Sequence, residues 1–164
     1  MDEPGFYIDI FLQPGEFYFG DRETRIRTIL GSCVSITFWH PKKHIGGMCH
    51  YMLPKNKRAG HNAQLDGKYA EDTIHLFMHE IKKARTHPHD YEVKIFGGGN
   101  QFPTQDKRVF SVSDQNVEVG RHLLAQHGFK IKSEHMGGNG HRNIMFDVWS
   151  GDVWVKHVEK VMTP

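Results

Sequence analysis

Apolar and polar residues alternate singly at Val34, Ile36 and Phe38 against Ser35, Thr37 and Trp39, the period of a half-buried β-strand. Ile45 to Leu53 reads as the return strand of a hairpin, joined through Pro41-Lys-Lys-His44. Four residues in that loop pair His40 with Ile45, so paired positions sum to 85. Phe6 to Leu12 and Thr24 to Leu30 are further strands, the first stopped by Pro14-Gly15, with a short aromatic segment at Phe17 to Phe19 between them. A four-residue apolar spacing through Ile74, Phe77, Met78 and Ile81 predicts a helix from Lys68 to Arg85, with Asp66 as its cap and His87-Pro88 as its stop. A second helix runs from a cap at Ser113 or Asp114 to His127, with Val117, Gly120 and Leu124 inward and Gly128 as its end. Tyr91 to Phe96, Phe129 to Met136, His141 to Trp149 and Val153 to Val158 complete the strands. Lys55 to Gln64 is a polar loop.

Strands with two helices make the class α+β, and helices packed on one side of an antiparallel sheet are the economical arrangement. At 164 residues the chain, 1–164, is expected to be one domain with a real core. The net charge of +2 gives no argument for nucleic acid, and Lys55-Asn-Lys-Arg58 is a solvated loop rather than a binding stripe. No apolar run approaches the ~20 residues of a membrane span. Met-Asp-Glu-Pro-Gly lacks the basic region and apolar stretch of a signal peptide, and two cysteines make no disulfide framework. A reducing cytoplasm is therefore expected.

The hairpin register places candidate chemistry. Cys33 lies opposite Met52 and Ser35 opposite His50, so Cys33 and His50 are same-face diagonal neighbours, about 7–8 Å apart at Cα. A thiol beside an imidazole is the minimum for nucleophilic catalysis, because the ring can take the thiol proton. Cys49 adjoins His50 in sequence but points to the opposite face. The plain alternative makes both cysteines small buried hydrophobes.

Thirteen histidines invite a metal reading. His75 and His79 share a helix face, but Glu80 is not followed by the second histidine of a zinc-protease helix, and three convergent ligands are not spaced for. No metal site is expected. Gly97-Gly-Gly-Asn100 and Gly137-Gly-Asn-Gly140 lack the Lys-Ser/Thr of a phosphate loop. They read either as tight turns or as places where backbone comes close to the Cys33 hairpin.

Leu30-Gly-Ser-Cys33-Val and Ile45-Gly-Gly-Met-Cys-His50-Tyr-Met-Leu-Pro54, with Lys68-Tyr-Ala70, Lys94-Ile-Phe-Gly-Gly98, Asn116-Val-Glu118, Gly137-Gly-Asn139 and Arg142, resemble the CheD family of chemoreceptor glutamine deamidases. The resemblance runs from Pro14 to Val155. It implies a layered α/β sandwich similar to the catalytic domain of cytotoxic necrotising factor toxins. It implies hydrolysis of selected glutamines on the helical cytoplasmic domain of methyl-accepting chemotaxis receptors, without metal or organic cofactor. Cys33 carries over as nucleophile and His50 as base. The backbone N–H of Cys33, helped by Ser32, would hold the oxyanion. The family's third residue, a Thr that orients the His, carries over to Thr28, five positions before Cys33. Arg27 stands six before and faces the other way on a regular strand, and Ser35 is the substitute hydroxyl opposite His50. Partners implied are the receptors and a CheC-type phosphatase. The alternative is an adaptor for either, with little catalysis.

Overall fold

The computed structural model describes residues 2–57, 64–101 and 111–160. Eleven elements follow in chain order: β1 (Ile8–Phe11), β2 (Phe17–Gly20), β3 (Thr24–Leu30), β4 (Val34–His40), β5 (Ile45–Cys49), α1 (Ala70–Lys83), β6 (Glu92–Gly97), α2 (Val112–Gln126), β7 (Ile131–Met136), β8 (His141–Asp147) and β9 (Val153–Val158), with a 3₁₀ turn at Pro88–Asp90. The class is α+β, as the alternation predicts. The strands form two sheets, however, where one was expected: β1-β3-β8-β9 and β2-β5-β4-β6-β7. Five of the seven pairings are antiparallel, while β1 with β3 and β6 with β7 run parallel, so both sheets are mixed.

Three layers result. Both helices cover one face of the second sheet, burying Val34, Ile36 and Phe38 of β4 and Val93 and Ile95 of β6 against Ile74, Phe77, Ile81 and Leu124. The other face of that sheet meets the first sheet through Met48, Phe96, Ile26, Leu30, Ile144 and Phe146. The inner strands β4, β5 and β6 are thus buried on both sides, and alternation there separates two cores rather than core from solvent. In the first sheet the usual rule holds: Thr24, Ile26, Thr28 and Leu30 of β3 are buried, while Arg25, Arg27 and Ile29 face outward.

The hairpin register is the expected one, from His40↔Ile45 to Thr37↔Met48, and it resumes at Val34↔Tyr51. Helix starts differ from expectation. Tyr69 precedes α1 with no side-chain cap. Asp66 instead accepts from the Lys68 N–H at 3.0 Å, closing the turn before the helix. The cap of α2 is Ser111, whose hydroxyl accepts from Asp114 N–H, earlier than the expected Ser113 or Asp114. Part of the expected loop Lys55 to Gln64, residues 58–63, lies outside the described residues.

Candidate active site

Thr28, Cys33 and His50 come from three consecutive strands or their ends. Because Val34 and Tyr51 are paired, Cys33 and His50 are the residues just before each, diagonal across that pair on the inter-sheet face. Cys33 is half-buried and packs on the inter-sheet cluster. His50 is 2% exposed and fixed by its own backbone, donating to Glu16 O at 3.1 Å and accepting from Gly15 N–H at 2.7 Å. The turn that supplies those partners needs Gly15, at φ +87°.

Thr28 reaches across from the other sheet. Its Oγ1 lies 2.7 Å from His50 Nδ1 and 2.8 Å from Leu12 O. A hydroxyl has one proton, and a carbonyl can only accept. The Thr28 proton therefore goes to Leu12 O, and Nδ1 must carry the hydrogen that Thr28 Oγ1 accepts. Nε2 is then left with a free lone pair, the form that can take a thiol proton. Leu12 is in place because its N–H bonds Arg27 O at 2.8 Å, extending the parallel β1–β3 pairing.

The other two candidates for the orienting role are elsewhere. Arg27 points outward and pairs with Asp9 at 2.8 Å. Ser35 donates to Cys49 O at 2.5 Å. The strand is regular, and it is residue 28, not 27, whose parity matches the inner face.

Burial pulls the His50 ring down to about 4, so it is neutral at ordinary pH. Burial also raises the Cys33 thiol, while the Ser32 hydroxyl bonded to it acts in the opposite sense. The resting pair is a neutral thiol and a neutral imidazole. Cys49 is fully buried on the helix side, pushed up to about 12 by burial.

Two supports of the Cys33 segment come from glycine loops. Gly98 N–H donates to Cys33 O at 2.9 Å and Gly99 N–H to Gly31 O at 3.0 Å. Gly97 sits at φ +113°, and a Cβ there would overlap Cys33 O. The second glycine run backs the first, with Gly137 N–H on Gly97 O at 2.9 Å. Close backbone approach is what Gly97 and Gly99 provide, while Gly137 and Gly138, at φ +83° and +66° with room where a Cβ would sit, make the turn. The buried Arg142 guanidinium ties both loops, donating to Gly97 O and Gly137 O at 3.2 and 2.7 Å.

One residue at the site was part of a family-like motif in the sequence but had no role assigned to it. Asn116 of α2 is fully buried, and its Nδ2 donates to Met52 O at 2.8 Å and Ser32 O at 3.3 Å. Its spacing of four from Gly120 and then Leu124, a polar residue on an inward stripe, was the available signal. His75 and His79, the metal candidates, lie on α1; the His75 ring packs edge-on against His127 at 5.7 Å.

The chain has clear relatives. A family model described as CheD chemotactic sensory transduction matches residues 52–157. A Dechloromonas aromatica protein named probable chemoreceptor glutamine deamidase CheD 3 is 50% identical over 147 residues, covering 90% of this chain and 86% of that one. The Pseudomonas syringae pv. tomato protein named probable chemoreceptor glutamine deamidase CheD is 46% identical over 159 residues, covering 96% and 94%. Among solved structures, the Bacillus licheniformis hypothetical protein YfiH overlays 73% of this chain and 49% of its own at a TM-score of 0.45 and 16% identity.

Proposed function

The chain belongs to the CheD family, and from that premise we propose that it is a protein-glutamine deamidase of chemotaxis receptors that uses Cys33 as nucleophile. The observation that carries the reading is the Thr28–His50 contact, a hydroxyl from one sheet setting the tautomer of a buried imidazole on the other. A histidine that only filled the core would gain nothing from a bare Nε2 on the face that Cys33 shares.

His50 Nε2 takes the Cys33 proton as Sγ attacks the side-chain carbonyl of a receptor glutamine. The charge that develops on the carbonyl oxygen is held by the backbone N–H of Cys33, with Ser32 beside it, a contribution of about 3–4 kcal/mol per donor at comparable sites. His50 returns the proton to the departing ammonia. It then takes one from water as that water opens the thioester, leaving glutamate and the free thiol. Amide and water go in, carboxylic acid and ammonia come out, and the chemistry is complete without metal or cofactor. Receptors are the proposed partners, in the cytoplasm, and a CheC-type phosphatase is a further one. A likeness of this layered fold to the catalytic domain of cytotoxic necrotising factor toxins is a further part of the proposal. A superposition that failed to bring Cys33 and His50 onto that domain's site would remove it.

The test is mass spectrometry of a receptor cytoplasmic fragment after incubation with the protein. A gain of about 1 Da at glutamine, insensitive to chelator and abolished by thiol alkylation, is expected when an amide becomes an acid through a thiol. Binding of the fragment with no mass change would make the protein an adaptor. Inactivation by chelator with rescue by zinc would overturn the thiol mechanism.

A further inference from the structure

The β4–β5 ladder gives out beside Cys33, and Asn116 stands in the gap. Val34 and Tyr51 exchange both backbone hydrogen bonds, at 3.1 and 3.0 Å. In an antiparallel pair the next such exchange falls two residues further on, here between Ser32 and Leu53. It is not made. The N–H groups of Met52 and Leu53 turn instead to Lys68 O, at 2.7 and 3.0 Å. The Asn116 carboxamide fills the vacated position, with Nδ2 donating to the carbonyls of Met52 and Ser32. Asn116 is itself anchored, because its backbone carbonyl accepts the buried Tyr51 hydroxyl at 2.5 Å.

We propose that Asn116 is a positioning residue for the nucleophile: its carboxamide splays the hairpin at Cys33 and fixes the residue before it and the residue opposite it. The proposal rests on the reading of Cys33 as nucleophile. With Gly98 N–H holding Cys33 O from the β6 side, Asn116 supplies the restraint from the β5 side. A merely structural polar residue is a poor description of it, for two reasons. Both of its donated bonds end on the backbone flanking Cys33 rather than within α2. Its Oδ1 is buried with no hydrogen-bond partner among the described residues, a demand that an apolar side chain of similar size would not make. Stability alone does not select asparagine here; orientation of the Ser32–Cys33 segment does.

The experiment uses Asn116→Leu, which keeps volume, and Asn116→Ser, which keeps a donor in a smaller side chain. Four quantities are measured on each folded protein. They are kcat and KM for conversion of receptor glutamine, the thermal midpoint, and the rate of Cys33 alkylation by iodoacetamide against pH, with Cys33 and Cys49 peptides resolved by mass. For Asn116→Leu a fall in kcat of roughly 10- to 100-fold is expected, the scale of a displaced reacting group, with KM within about threefold. The Cys33 alkylation profile moves along the pH axis, the midpoint changes little, and Asn116→Ser recovers part of both rates. The proposal is overturned if kcat per folded molecule and the alkylation profile are unchanged in both variants, or if activity falls only in step with the midpoint. Alkylation needs no receptor, so a wild-type protein that failed to convert glutamine would refute the deamidase reading while the Cys33 profile still decided the role of Asn116.

Discussion

On the helix side of the second sheet, Cys49 lies among Val34, Ile36, Phe38 and Tyr51, with Phe38 and Phe77 ring centroids 3.8 Å apart and Phe38 and Phe129 4.9 Å apart. Its Sγ accepts the Ile36 N–H at 3.3 Å. On the sheet side of the same hairpin, Cys33 is half-buried and shares its face with Ser35, Thr37 and His50, whose ring meets Thr28 across the gap. The two thiols differ in parity rather than in chemistry. One face gathers aromatic rings and raises its thiol beyond use. The other gathers hydroxyls and an imidazole, and the burial of Thr28, Ser35 and His50 is tolerated because each is hydrogen-bonded. A strand buried on both sides can therefore carry a core on one face and the proposed reaction centre on the other.

Removing each thiol in turn breaks this comparison most directly. Cys33→Ala is expected to abolish glutamine conversion, a loss on the order of 10³-fold or more, as nucleophile removal does elsewhere. Cys49→Ala retains most of the activity. Mass spectrometry of the receptor fragment reads both. Equal losses would mean that the two faces are not chemically separate.

Next in size is the link between the sheets. Thr28→Val removes the acceptor for His50 Nδ1–H while keeping the shape. A fall in kcat of about 100-fold with little change in KM is expected, because an imidazole free to take the wrong tautomer is a poor base. Arg27→Ala, one residue away on the outer face, leaves kcat within about twofold. Steady-state kinetics on the two variants decides it; the reverse pattern would move the orienting role to Arg27. Turnover kept in Thr28→Val but lost in Ser35→Ala would move it to Ser35.

Much of this was legible in the chain. The alternation at 34–39 and the loop of four gave the hairpin register, and register gave the faces of Cys33, Cys49 and His50. What pattern reading missed was partnership between distant strands. Nothing local says that β1 pairs with β3 and β6 with β7 in parallel, since parallel neighbours are joined by long connections. For the same reason Thr28 could be named but not aimed. Its position opposite His50 follows from two sheets packing face to face, not from the spacing of 28 and 33. The role of Leu12 O is invisible in sequence because a backbone carbonyl carries no residue identity.

The electrostatic side of the comparison appears as pH dependence. His50 is near 6.5 when unfolded and about 4 when folded, so between those values the unfolded chain binds the extra proton. Its contribution to stability is fully present above pH 6.5 and is lost as pH falls toward 4, about 3 kcal/mol over the window. Denaturant unfolding at pH 7 and pH 4.5 checks this against His50→Gln, in which that part of the pH slope disappears. A slope identical in the two proteins would mean that the imidazole is not desolvated.

The smallest expected effect concerns Cys49 as structure. Between the Thr37–Met48 pair and the Val34–Tyr51 pair the ladder is irregular, and there the thiol, not a carbonyl, takes the Ile36 N–H. Cys49 O meanwhile accepts the Ser35 hydroxyl. Cys49→Ala leaves a buried N–H without its acceptor and opens a space the size of one sulfur atom. Together these cost about 1–2 kcal/mol. The urea midpoint should fall at unchanged slope, because the exposed surface on unfolding is nearly the same. Turnover per folded molecule should not change. A variant with unaltered midpoint but reduced turnover would put Cys49 in the chemistry after all, and the helix-side face would no longer be only a core.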